Sequence, residues 1–367
     1  MKSSGPRPAS IGEAATTAAG AASGGHGSRG LLLPVSLAAL AAVLLVAGAV
    51  GSADLEPRHL VGALVKSARG EALSPLETIA WRIRLPRVLL AGLTGAGLSL
   101  AGALFQGVFR NPLADPYLIG TASGAGFGAV LVFTLSASFP PLAAAGAPVV
   151  AFVFALLTVL LVTLLASDVG GVPTVRLILA GVVVGAVFTA ATSFLLVAAR
   201  EQSAGILSRL LGGFGFASWH SVAALAAFTV PALLVGRALA RALDLFQLGE
   251  RGAALLGLPV ESVKLLLLAV ATLVTAAAVS VAGIIGFVGL MVPHAARLAT
   301  GPAHARLLPL AVVWGAAFMV LADLLARTVI APVEVPVGIV TALTGGPFFL
   351  WLLRRSRRAG GAAGVGT

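Results

Sequence analysis

Arg82, Arg84 and Arg87 crowd around Pro86, and far downstream Arg327 follows Asp323 by four residues. A guanidinium is a planar fork of N–H donors that grips a carboxylate at two points, so a group of arginines on one side of a protein suits recognition of acidic residues. Asp323 and Arg327 fall on one face of a helix and are spaced for a local ion pair. The alternative reading of such arginines is that they anchor helix ends by snorkelling. A second segment, Asp244 to Lys264, mixes Glu250, Arg251 and Glu261 with Leu248, Leu255, Leu256 and Leu258. Gly249, Gly252, Gly257 and Pro259 are expected to break it into short helices. Apolar anchors on short helices are what a groove on a partner protein accepts; a solvated loop is the plainer reading. A third segment, Asn111-Pro-Leu-Ala-Asp-Pro116, has the prolines and Asx residue of a rigid turn.

Other chemistries find no support. No GxxxxGK[ST] occurs, and the glycine cluster Ser123-Gly-Ala-Gly-Phe-Gly128 lacks the Lys and Ser/Thr that hold phosphate and magnesium. The chain is therefore not expected to hydrolyse ATP. There are no cysteines, and the five histidines are scattered without a helical pair at ligand spacing, so no metal site is expected. A formal charge of +11 invites a nucleic-acid reading, but the basic residues lie in short loops beside apolar runs, and one tyrosine provides no stacking platform.

Hydrophobic residues make up 59% of the 367 and charged residues 10%. A soluble domain carries about 25% charged residues, so this chain cannot cover a water-facing surface and belongs in a membrane. Residues 1–30 are Gly, Ala, Ser and Pro with scattered charge and are expected to be a disordered tail. The run 31–50 resembles a signal-peptide core with Ala47-Gly-Ala49 as cleavage site, but is long for one. The 22 uncharged residues from Val88 to Phe109 suffice for a crossing. Residues 117–166 divide at Pro140-Pro141 and Pro148, giving two spans. The 32 uncharged residues between Lys264 and Arg297 divide at Gly283-Ile-Ile-Gly286. With 31–50, 177–199, 221–236, 307–322 and 335–353, the expectation is an all-α polytopic protein of ten helices over residues 31–355, with a tail at 356–367.

With the N-terminus inside, the inner segments hold fifteen of the 24 Lys and Arg and the outer segments nine: Arg58, Lys66, Arg69, Arg82, Arg84, Arg87, Arg200, Arg209 and Arg327. The imbalance places both termini in the cytoplasm. The outer nine are still an excess that anchoring alone does not explain.

The ordered segments Arg84–Gly120, Leu248–Gly257, Gly283–His294 and Leu321–Arg327 resemble the FecCD family of ABC-importer permeases, over about residues 35–355. The resemblance implies a type II importer permease in a bacterial inner membrane, in which 31–50 is retained as the first helix. It implies a second copy of the chain, two ATP-binding subunits that hold ATP and Mg, a substrate-binding protein outside, and no cofactor on this chain. The cargo would be an iron–siderophore complex, or alternatively cobalamin or haem. Arg84, Arg87 and Arg327 would receive acidic residues of the binding protein. The loop 244–264, through Leu248, Gly249, Glu250, Arg251, Ala254, Leu255, Leu256 and Gly257, would dock into the ATPase. The spans 177–199 and 335–353 would line the pore, with Thr341 and Thr344 as polar candidates. The rival from another class is a gradient-driven secondary transporter or channel; it calls for ionisable groups in the membrane path, and the apolar runs contain no such chain.

Overall fold

The computed structural model describes residues 26–51, 55–136, 138–168, 171–199 and 203–362. The expected N-terminal tail lies mostly outside them. The chain is 81% helical, with no strand among the described residues. Helices α1 (His26–Ala49) and α2 (Pro57–Arg69) are followed by α3 (Pro75–Ile79), which runs through a π-turn at Ala80–Arg84 into α4 (Leu85–Phe109). A 3-10 turn at Pro116–Ile119 leads to α5 (Thr121–Leu135), α6 (Pro140–Ala145), α7 (Ala147–Ala166) and α8 (Thr174–Ala198). Next come α9 (Ser203–Leu210), α10 (Trp219–Ala238), α11 (Ala240–Phe246) and α12 (Glu250–Leu255). The chain ends with α13 (Val260–Ala282), α14 (Val288–Thr300), α15 (His304–Thr328) and α16 (Val337–Ala362).

Every one of the ten expected spans corresponds to a helix. Among the described residues, seven helices are long and apolar enough to cross a membrane: α1, α3–α4 as one unit, α7, α8, α10, α13 and α15. The three shorter ones, α5, α14 and α16, fall at the remaining spans. The expected breaks are present: α6 and Gly146 separate α5 from α7, and Gly283–Phe287 separates α13 from α14.

The α3–α4 unit differs from the expectation of a helix beginning at Val88. Ser74 accepts the Glu77 N–H while the Glu77 carboxylate accepts the Ser74 N–H, a capping box that starts a helix thirteen residues earlier. Pro86 would ordinarily break it, having no N–H and crowding the preceding turn. The π-turn widens the backbone just before Pro86, and Leu85 N–H reaches back to the Ala80 carbonyl, so the helix continues.

Helix α4 is the centre of the bundle. It packs on α15, α13, α14 and α10, and nearly all its residues are buried. Small residues make this possible: a Cβ on Gly95 would lie 2.0 Å from the Gly315 carbonyl oxygen, and one on Gly102 would lie 1.8 Å from that of Gly289. Backbones therefore touch, as in helix pairs that rely on dispersion rather than the hydrophobic effect. The buried Ser99 hydroxyl donates to the Ala311 carbonyl at 2.8 Å beside the Gly95–Gly315 crossing. A second group of helices, α5, α7 and α8, packs alongside. Helix α8 leaves Val175, Leu179, Val182, Val183, Val187 and Phe194 exposed, a face for lipid or another chain.

Candidate functional site

The side chains of Arg84, Arg87 and Arg327 do not stand out into solvent. Helix α1 ends near them, and its last carbonyls lack intrahelical partners. Arg84 Nη1 donates to the carbonyls of Gly48 (3.1 Å) and Ala49 (2.8 Å). Arg327 donates to the carbonyls of Val50 (2.7 Å) and Ala47. Two guanidiniums from distant helices thus cap the carboxyl end of α1, where the helix dipole favours positive charge.

Arg87 lies between two carboxylates. Its Nη2 is 2.8 Å from Asp323 Oδ1 and its Nη1 is 2.8 Å from Glu334 Oε1. Asp323 is 1% exposed and also faces Arg327 at 3.4 Å. The expected Asp323–Arg327 pair is therefore one edge of a four-residue network that joins α4, α15 and the loop before α16. Arg87 holds the Glu334 carboxyl below the usual carboxylate range. Arg87 and Glu334 line a cavity of about 460 Å³ that also meets Arg209, Phe133, Phe214 and Phe216. The Arg209 guanidinium stacks 4.1 Å from the Phe216 ring and 5.1 Å from Phe133, a cation–π sandwich.

In this conformation Arg84, Arg87 and Arg327 turn to partners within the chain. The side chains of Arg87 and Arg327 are 12% and 6% exposed, and Arg84 is buried. Each is used inside the chain in this conformation, because the carboxyl end of α1 and the buried Asp323 both need positive partners. Arg82, on the same π-turn, is the exposed member of the group. The signal for the network was Glu334, two residues before Pro336, which sequence reading had no reason to single out.

The 244–264 segment folds as short helices, as expected, with one difference. Gly249 and Gly257 adopt φ of 92° and 84° and bound α12, but Gly252 sits inside that helix instead of breaking it. Leu255 is 88% exposed, and Leu248 and Leu256 are exposed beside it. Arg251 and Ala254 are exposed on the same short helix, and Glu250 opens it. Three clasps fasten this segment to the bundle. Asp244 Oδ1 is 2.6 Å from His304 Nδ1 at the start of α15. Gln247 donates to the Gly107 carbonyl of α4 at 3.2 Å. Lys264, almost fully buried, lies 2.8 Å from Glu261 and 3.4 Å from Glu250. Sequence reading passed over all three, since each joins residues remote in the chain or looks like an ordinary polar loop.

The neighbouring 111–116 turn has the rigidity expected of it. Asn111 Oδ1 accepts the Leu113 N–H at 2.9 Å and Asp115 Oδ1 accepts the Tyr117 N–H at 2.8 Å. Burial pushes the Asp115 carboxyl up to about 6, against the opposing Tyr117 N–H.

Thr341 is fully buried in this conformation, its hydroxyl donating to the Gly338 carbonyl at 3.1 Å. Thr344 is exposed but donates to the Val340 carbonyl of its own helix at 2.9 Å.

The bundle of membrane-spanning length thus carries an exposed apolar face on α8 and exposed leucines at α12. The FecCD transport family model matches residues 39–355, and the chain belongs to that family of ABC importer permeases. It is 45% identical over 282 residues to the cobalamin import system permease protein BtuC of Halobacterium salinarum, covering 76% of this chain and 74% of the relative. It is 40% identical over 320 residues to the hemin transport system permease protein HmuU of Yersinia pestis, covering 86% and 94%. A solved structure described as an inward-facing conformation of a metal-chelate type ABC transporter superposes with a TM-score of 0.76 at 29% identity, covering 88% of this chain and 98% of that one.

Proposed function

We propose that this chain, as a homodimer, forms the path by which a bulky metal chelate enters the cell intact. Its energy comes from ATP hydrolysed with Mg on two partner subunits. The observation that carries this reading is α12: a six-residue helix bounded by two positive-φ glycines, with Leu255 held in water at the end of a segment clasped to three spanning helices. An isolated apolar helix held rigidly outward is a docking element. The cargo is a metal chelate, an iron–siderophore, corrinoid or haem. The relatives named for cobalamin and hemin put corrinoid and haem first in the order of testing. Both termini lie in the cytoplasm of a bacterial inner membrane.

A substrate-binding protein delivers the chelate from outside. Its carboxylates would meet exposed Arg82 and compete with Glu334 for Arg87, whose outer edge opens on the cavity. The gradient-driven alternative is disfavoured by Asp323: the buried carboxylate that such a transporter requires is present, but it is neutralised by Arg87 and Arg327.

The test is reconstitution of the chain in liposomes with an ATPase subunit and a binding protein encoded beside it. Uptake of radiolabelled cyanocobalamin, hemin and a ferric hydroxamate is measured with and without internal ATP. Uptake of any one that requires ATP supports the proposal. Uptake driven by an imposed ion gradient without ATP would overturn it.

A further inference from the structure

The Lys264 clasp is built around one carboxylate that bonds in two directions. Glu261 Oε2 faces Lys264 Nζ at 2.8 Å, while Glu261 Oε1 accepts the Val172 N–H at 2.8 Å. Val172 lies two residues before α8 begins at Thr174. Lys264 Nζ also reaches Glu250, the first residue of α12, at 3.4 Å. The contacts therefore form an unbroken chain from the exposed inner helix to the start of a membrane span: α12, Glu250, Lys264, Glu261, Val172, α8.

We infer that Glu261 and Lys264 are positioning residues that transmit displacement of α12 to α8, resting on the importer reading above. Three features support this beyond mere proximity. First, Lys264 is 3% exposed, and a buried ammonium cannot be parted from its carboxylates without leaving an uncompensated charge. If docking tilts α12, Lys264 and Glu261 follow rather than separate. Second, the approach of Glu261 to the backbone depends on Gly171, which has φ of 115°, where a Cβ would lie 2.8 Å from the carboxyl carbon. No side chain stands between carboxylate and backbone to absorb motion. Third, the receiving segment is itself stiff: Asp168 and Gly171 exchange backbone hydrogen bonds at 2.9 and 3.0 Å, and Arg176 on the first turn of α8 pairs with Asp168 at 2.6 Å. The other two clasps lead to α15 and α4, which are packed into the bundle. Of the three, this one leads to a helix that leaves a wide apolar face exposed, where a second copy would pack under the importer reading.

The chain has no cysteine, so a single spin label can be placed on exposed Val175 by Val175→Cys. In the complete complex, with binding protein and ATPase, the distance between the labels of the two copies is measured before and after trapping with ATP and vanadate. The unsubstituted clasp should give a distance change. Glu261→Ala and Lys264→Met should reduce that change at least threefold while the ATPase still copurifies, and Lys264→Arg should restore it. Glu261 is a half-exposed residue, so its variant is expected to fold even if Lys264→Met does not. A full-size change in the assembled Glu261→Ala complex would overturn the relay and leave the importer reading standing. Absence of any nucleotide-driven change with the clasp intact would overturn both.

Discussion

Arg87 and Asp323 are 236 positions apart, yet Arg87 donates three hydrogen bonds to the Asp323 carboxylate, from Nε to Oδ1 and Oδ2 at 3.1 Å each and from Nη2 to Oδ1 at 2.8 Å. The pair ties the central helix α4 to α15 at the outer end of their long contact. Asp323 is buried, and Arg87 and Arg327 are the cations that pair with it. Removing one member of such a pair typically costs 3–5 kcal/mol, since the other charge is left without compensation. Arg87→Ala should therefore lower the unfolding temperature of the detergent-purified chain by several degrees. The double variant Arg87→Ala/Asp323→Ala should recover part of the loss. An Arg87→Ala protein as stable as the parent would show that the pair does not support the outer end of the bundle.

The other partner of Arg87 behaves differently. Glu334 is half exposed, so its pairing is worth less than about 1 kcal/mol. Its carboxyl is held below its ordinary value, chiefly by the hydrogen bond from Arg87. A depressed carboxyl gives stability that is present above the unfolded value and lost as pH falls through the folded value. The stability difference between the parent and Glu334→Gln should thus be constant from pH 8 to about 6 and shrink steadily as pH falls below the ordinary carboxylate range. A difference that grows on acidification would contradict the sign.

Topology offers a direct check. The cytoplasmic placement of both ends rests on the excess of inner Lys and Arg, including Arg354, Arg355, Arg357 and Arg358 on α16. A cysteine introduced by Gly361→Cys should resist an impermeant maleimide added to whole spheroplasts and react after lysis. Labelling in intact spheroplasts would reverse the assignment.

The helices were legible because a bilayer demands long apolar runs and tolerates few breaks, and Pro140, Pro148 and Gly283 marked those breaks. The start of α3 was not, because Arg84 and Glu77 look like a water-facing loop when the carbonyls of α1 and the ammonium of Lys66 that partner them are unknown. The Asp323–Arg327 pair followed from helical spacing alone. Its partner Arg87 could not be found that way, since nothing local joins α4 to α15. Thr341 stands out in the sequence as a polar residue in an apolar span, but the bond from its hydroxyl to the Gly338 carbonyl is visible only in the structure.

At the inner loop, Leu255 and Leu256 are exposed apolar side chains on a rigid helix. Burying one leucine is worth about 1.5–3 kcal/mol, and a docking groove that accepts both would be emptied by charge. Leu255→Asp/Leu256→Asp should insert normally, since neither residue touches the core, but lower ATP-dependent uptake more than tenfold. Normal uptake by a variant that still carries its ATPase would exclude α12 as the coupling element.

The last prediction separates docking from anchoring at the outer face. If a carboxylate of the binding protein takes the place of Glu334 on Arg87, then Glu334 is an internal competitor for the docking site. Removing it by Glu334→Ala frees the Nη1 edge of Arg87 while Asp323 keeps the guanidinium in place through Nε and Nη2. Affinity for the binding protein should rise severalfold. The gain should be larger at 50 mM than at 500 mM salt, because an added pair at an exposed rim is screened by ions. Arg82→Glu should act in the opposite direction with the same salt dependence, as it reverses the exposed guanidinium of the group. Binding measured on nanodisc-held complex at the two salt concentrations decides the matter. If Glu334→Ala leaves affinity unchanged at both, Arg87 serves only to hold α4 to α15 and its outer edge takes no part in docking.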